Sequence, residues 1–171
     1  MTTELPKVEL AIMGGSGFAE IAGVDIIQII TPEKLEGPFG QPSGSITIGK
    51  FASKLIAFMC RHGNGHQFNP TYINYRANVW ALVMLGVKKC FGISACGSLT
   101  NLIQVGTLTV PDQLFDNTKL RPRTFFQAAV HVSMADPFCN SARNELINMT
   151  KAVKLPVHDY ATYVIFSVLF L

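Results

Sequence analysis

Apolar residues in this 171-residue chain gather in short runs that stop abruptly at small or polar positions. Three of them, Val8 to Met13, Lys54 to Cys60 and Lys88 to Ile93, have the length and the apolar or β-branched content of buried strands. Ser45 to Ile48 and Thr107 to Val110 read as further strands, and Tyr160 to Ile165 as another. Between about Asn74 and Leu85 the period changes. Ile73, Ala77, Trp80, Ala81, Met84 and Leu85 trace one face of a helix, with Gly86 as its cap. A second helix is predicted from about Ser141 to Lys154, with Ala142, Leu146, Met149 and Val153 inward. Strands alternating with helices predict an α/β sandwich with helices on both faces of the sheet, formed by residues 1–171 as one domain. Phe115 to Phe138 lacks a clear period and contains Arg121-Pro122-Arg123, so it is expected to be a long loop with a function or a covering partner.

The segments at the ends of the three strand-like runs are chemically distinctive. Gly14-Gly15-Ser16-Gly17 succeeds the first, Arg61-His62-Gly63 the second, and Ser94-Ala95-Cys96-Gly97-Ser98 begins where the third ends. In an open α/β sheet, ligands bind beyond the carboxyl ends of the strands. A glycine turn exposing N–H groups, an arginine beside a histidine, and a hydroxyl-bearing turn can together hold one small anion. Each segment also has a plainer reading: a tight strand-to-helix turn, a polar loop, small residues easing helix packing. Their joint occurrence at three strand ends favours a phosphate site. The glycine turn is not a dinucleotide fingerprint, because Glu20 stands where the third glycine would be, and no Gly-Lys-Ser/Thr makes it a P-loop. A Rossmann-type redox enzyme is disfavoured on the same ground.

Composition narrows the classes of function. A formal charge of +3, with dispersed basic residues, argues against a nucleic-acid partner. No apolar run reaches the roughly 18 to 20 residues of a membrane helix, so no membrane partner is expected. Met1 to Lys7 is polar and carries Glu4, so no secretory leader is expected either. Cys60, Cys90, Cys96 and Cys139 form no Cys-x-x-Cys pair, which favours a reduced, cytoplasmic setting. His62 and His66 have an i, i+4 spacing, but Gly63 and Gly65 between them speak against a helix, and no metal is assigned.

The chain resembles the S-methyl-5′-thioadenosine phosphorylase branch of the trimeric purine nucleoside phosphorylases. The resemblance rests on Gly14 to Gly17, Pro38-Phe39-Gly40-Gln41-Pro42-Ser43, Arg61-His62-Gly63 with His66, and Asn69-Pro70. It continues through Asn74-Tyr75-Arg76-Ala77-Asn78-Val79-Trp80-Ala81-Leu82, Ser94 to Leu99, Pro111-Asp112-Gln113, Arg121-Pro122 and His131 to Cys139. The Ala95-Cys96-Gly97-Ser98 segment and the His131 to Cys139 block are closer to the methylthioadenosine branch than to the inosine and guanosine branch.

This resemblance implies a three-layer α/β/α nucleoside phosphorylase-like fold with a mixed central sheet. It implies phosphorolysis without a cofactor: inorganic phosphate, a co-substrate, attacks C1′ of S-methyl-5′-thioadenosine, giving adenine and 5-methylthioribose 1-phosphate. The transition state resembles an oxocarbenium ion, so a well-placed phosphate supplies stabilising negative charge. By the same resemblance Ser16 holds phosphate through its hydroxyl, Arg61 clamps it, His62 adds a donor, Ser94 supplies a hydroxyl and Ala95 an N–H. Cys96 and Gly97 lie under the purine, and His131 reaches the 5′-substituent pocket of a neighbouring subunit in a homotrimer. As a loop residue, His131 also reads simply as an interface histidine.

The chain departs from the family pattern after the Tyr160 to Ile165 strand. There the family continues into Glu-Gly-Pro-Arg-Phe, a Met-Thr turn and an acidic motif that recognises the purine, whereas this sequence runs through Phe166 to Leu171. A chain stopping short of the family's end is therefore expected, with no measurable turnover until extended. Asp25, Asp112, Asp116, Asp136 and Asp159 do not match the acidic motif, so no catalytic proton donor is assigned. A phosphorylase for inosine, guanosine or methylthioinosine, and a non-catalytic fragment, stay open as alternatives.

Overall fold

The computed structural model describes residues 4–15, 23–63 and 65–166. They form two compact units, Met1–Ala95 and Cys96–Leu171.

The first unit is built on a five-stranded sheet of order β2-β3-β4-β1-β5. Its strands are β1 Leu10–Gly14, β2 Asp25–Ile30, β3 Ile46–Phe51, β4 Lys54–Cys60 and β5 Lys89–Gly92. The sheet is mixed. β1 runs parallel to β4 and to β5, whereas β2, β3 and β4 are antiparallel neighbours. Ile56, Ala57, Phe58 and Met59 are buried in succession. Such a run requires both faces of β4 to be covered, which explains why it reads as continuously apolar rather than alternating.

Helix α1, Tyr75–Met84, brings Ala81, Leu82 and, just beyond its end, Leu85 into a core with Val8, Ala11, Ile30, Leu35, Ile46, Ile48, Ala57 and Met59. Both ends of the helix are closed. Asn74 Oδ1 accepts a 3.2 Å bond from Ala77 N–H at the start. At the far end Gly86 N–H bonds Val83 O at 2.9 Å and Val87 N–H bonds Leu82 O at 3.1 Å. This is a Schellman closure, and it requires Gly86 in the left-handed region, where its φ is 78°.

The second unit holds two parallel strand pairs, β6 Leu108–Thr109 with β8 Val157–His158, and β7 Gln113–Asn117 with β9 Thr162–Phe166. Helix α2, Asn140–Ala152, is tied to both chain segments by one side chain. Arg143 donates from Nε to Pro111 O at 2.7 Å and from Nη2 to Asp159 O at 2.8 Å.

The buried side of α2 differs from the expected one. Ile147 and Thr150 are buried, whereas Met149 and Val153 are each 66% exposed. Thr150 tolerates burial because its hydroxyl donates to Leu146 O at 2.7 Å. Phe115, Asp116 and Asn117, placed in a long loop by the sequence, belong to β7; residues 118–139 contain no helix or strand.

Candidate anion-binding site

The register of the parallel strands determines where the chemically distinctive loops emerge. Gly14 lies opposite Cys60, and Met13 opposite Gly92, so β1, β4 and β5 end at one level of the sheet. Gly15, Arg61 and Ile93 are the next residues along each strand. The three motifs, scattered over more than eighty positions, therefore start side by side.

Arg61 is the group around which they meet. Its backbone N–H donates to Gly14 O at 3.0 Å, which continues the sheet pairing one step beyond β4. Its Nη1 donates to Ile93 O at 2.9 Å, so the side chain reaches across the end of β1 to the end of β5. A Cβ built on Gly15 would lie 3.7 Å from Nη2 and 3.9 Å from Nη1, so the guanidinium rests against Gly15. Ser94 and Ala95, both exposed, come directly after the carbonyl to which Arg61 is bonded. A half-buried guanidinium beside exposed backbone and a hydroxyl residue has the chemistry to hold a tetrahedral anion. Ser16, the remaining residue expected in this group, lies outside the described residues.

His62 is buried, 6% exposed, and turns its ring toward the loop after it. Its Nδ1 is 2.9 Å from Phe68 O. A carbonyl can only accept, so Nδ1 carries the proton. The ring of His66 stacks on it at 4.1 Å, nearly parallel at 12°. Gly63 makes this turn possible. Its φ is 77°, and a Cβ there would come within 2.6 Å of Ser43 O.

Cys96, Gly97 and His131 belong to the second unit and are exposed. Among the described residues no three His, Cys, Asp or Glu side chains gather as a metal site, and no helix is long and apolar enough to cross a membrane. Asn78, which enters the sequence reading only as part of a family motif and with no site role, is wholly buried on α1 and bonded to the Arg61 carbonyl. Its signal is present in the chain, as an amide inside the otherwise apolar run from Ala77 to Leu85.

The parallel strands of the mixed sheet bring Arg61, Gly15 and Ser94 to the same end of the sheet. The family model for the phosphorylase superfamily matches residues 9–167, and the chain belongs to that family. Within it, the chain is 44% identical over 160 residues to S-methyl-5′-thioadenosine phosphorylase of Hyperthermus butylicus, covering 92% of this chain and 57% of that protein. A methylthioadenosine phosphorylase from an antarctic soil metagenomic library superposes with a TM-score of 0.89 at 36% identity, over 96% of this chain and 58% of that one. The methylthioadenosine phosphorylase of Schistosoma mansoni, solved in complex with adenine, gives a TM-score of 0.87 at 30% identity, over 96% and 67%. The fold is thus the mixed-sheet α/β fold of nucleoside phosphorylases, as the sequence motifs imply. The chain spans a little under three fifths of the Hyperthermus protein's length.

Proposed function

We propose that this chain carries the phosphate-binding half of a nucleoside phosphorylase site, and that the protein cleaves S-methyl-5′-thioadenosine with inorganic phosphate as nucleophile. The observation that carries this reading is the Arg61 guanidinium, bonded to Ile93 O and resting against Gly15. Because Nη1 is held by a carbonyl, the plane of the fork is fixed before phosphate arrives, so little side-chain entropy is lost on binding. The N–H groups of the glycine turn, the Ser16 and Ser94 hydroxyls and the Ala95 N–H complete the cradle. With Nδ1–H committed to Phe68 O, Nε2 is the ring nitrogen of His62 left to add a donor to phosphate.

Held in this way, phosphate presents its unprotonated oxygens to C1′ and stabilises positive charge developing on the ribose. Cys96 and Gly97 lie under the purine, where small residues leave room for a flat ring, and His131 contributes to the 5′ pocket of a neighbouring copy in a homotrimer. Residues 1–171 belong to one phosphorylase domain, working in the cytoplasm without a cofactor. The relatives' names support the choice of nucleoside, and the strand-end geometry supports the choice of nucleophile. The test is adenine release from S-methyl-5′-thioadenosine by protein containing this chain, with inosine for comparison. Release should require phosphate and disappear in Arg61→Ala. Release without added phosphate, or preference for inosine, would refute the reading.

A further inference from the structure

We propose that Asn78 is a positioning residue that holds the Arg61–Gly63 turn in its anion-binding geometry, an inference that rests on the phosphate-site reading. Asn78 is 0% exposed, on the side of α1 that packs against the sheet. A buried side-chain amide is unfavourable unless its donors and acceptor are used. Here they are used on two separate chain segments. Asn78 Oδ1 accepts a short 2.7 Å bond from Ser43 N–H, and Nδ2 donates a longer one, 3.5 Å, to Arg61 O. The short bond sets the Ser43 segment in place, and the Ser43 carbonyl in turn fills the space over Gly63, where not even a methyl group would fit.

Arg61 is consequently gripped from three directions. Its N–H is tied to β1 through Gly14 O, its side chain to the end of β5 through Ile93 O, and its carbonyl to α1 through Asn78. Asn78 meets Arg61 at its backbone carbonyl, not at the guanidinium proposed to face the anion. It acts by fixing the backbone from which Arg61 and His62 project, and a displacement of about 1 Å at such a position is enough to impair a catalytic site.

The test uses the 171-residue chain with Asn78→Leu, which removes both bonds at similar volume, and Asn78→Asp, which retains the acceptor for Ser43 and loses the donor to Arg61. Amide hydrogen exchange is read at Arg61 and Gly63, against Ala57 in the middle of β4 as the reference. Inorganic phosphate affinity is read by calorimetry. In Asn78→Leu, exchange at Arg61 and Gly63 should rise relative to Ala57, and phosphate affinity should fall, each by roughly three- to tenfold, the effect of about one net hydrogen bond. Asn78→Asp should show the same pattern at least as strongly, because a carboxylate oxygen then faces the Arg61 carbonyl, and Asn78→Ala, which also removes both bonds, carries the test should these variants fail to fold. If the turn amides track Ala57, or if phosphate binds the folded variants as it binds the unsubstituted chain, Asn78 has only a general structural role. If the unsubstituted chain binds no phosphate at all, the anion site itself is wrong and this inference falls with it.

Discussion

Arg61 shows how one bond can both brace a fold and set the position of a charge. Its bond to Ile93 O joins β4 to β5 across the end of β1, and the same bond leaves the guanidinium held beside Gly15. Asp116 is perturbed for a different reason. Burial pushes its carboxyl up, but the hydroxyl and N–H of Thr118, with Arg121 and Arg123 nearby, outweigh this and hold it below the ordinary carboxylate value. A depressed folded value means that the stabilisation is complete above the unfolded value of about 3.9 and drains away as pH falls through the folded one. Asp116→Asn should therefore reduce the loss of stability below about pH 4, read as the urea midpoint against pH. An unchanged acid limb would show that Asp116 is not one of the groups responsible. Ser43 offers a second prediction at this scale. Its Oγ is buried with no hydrogen-bond partner. An unpaired buried hydroxyl costs roughly 1–3 kcal/mol, so Ser43→Ala should be neutral or stabilising in urea unfolding. A clear loss of stability would mean that the hydroxyl is paired in solution.

At the level of elements, α1 is closed at both ends by caps as well as held by its buried side. Asn74 caps the first turn and also donates from Nδ2 to Phe39 O at 2.7 Å, joining the helix to the Pro38–Ser43 segment. Asn74→Ala should cost about 2 kcal/mol, near the upper end for a lost cap, because the second bond goes with it. Denaturant unfolding measures this, and a loss under about 0.5 kcal/mol would mean that the helix start is held by packing alone. The same elements show what the chain makes legible. β4 is observed over Lys54–Cys60, the span its sequence predicts, because burial on both faces leaves an unbroken apolar run. β2 escapes prediction although Ile26, Ile27, Ile29 and Ile30 crowd into six residues, since both faces carry isoleucine and neither alternation nor a helical period emerges. β7 is hidden in the expected loop because its partner β9 lies about fifty residues further on, a pairing that no local pattern announces. The inward side of α2 differs from its apolar pattern because a threonine satisfied by its own helix can replace a methionine in the core.

At the largest scale, the order of strands brings the starts of three distant motifs side by side, and this juxtaposition is readable from the sequence. The strand-end rule needs only the apolar runs and the residues just beyond them. The partners that fix the site, Ile93 O for Arg61 and Phe68 O for His62, are backbone atoms, which carry no residue-type signal. The outer strand β2 raises a separate question, because Ile26, Ile27 and Ile29 are 63%, 56% and 57% exposed. An apolar edge strand of this kind favours association. Sedimentation should show the 171-residue chain larger than a monomer, and Ile27→Lys with Ile29→Lys should shift it toward one. A compact monomer before substitution would contradict this.

The most direct measurement is calorimetric titration of inorganic phosphate into the 171-residue chain and into Arg61→Ala. One phosphate should bind each unsubstituted chain, and Arg61→Ala should weaken it by about 1.5 to 3 kcal/mol, the range for hydrogen bonds to a charged group, or roughly ten- to a hundredfold in Kd. Equal affinity in the two proteins, or no binding to the unsubstituted chain, would contradict an anion site centred on Arg61.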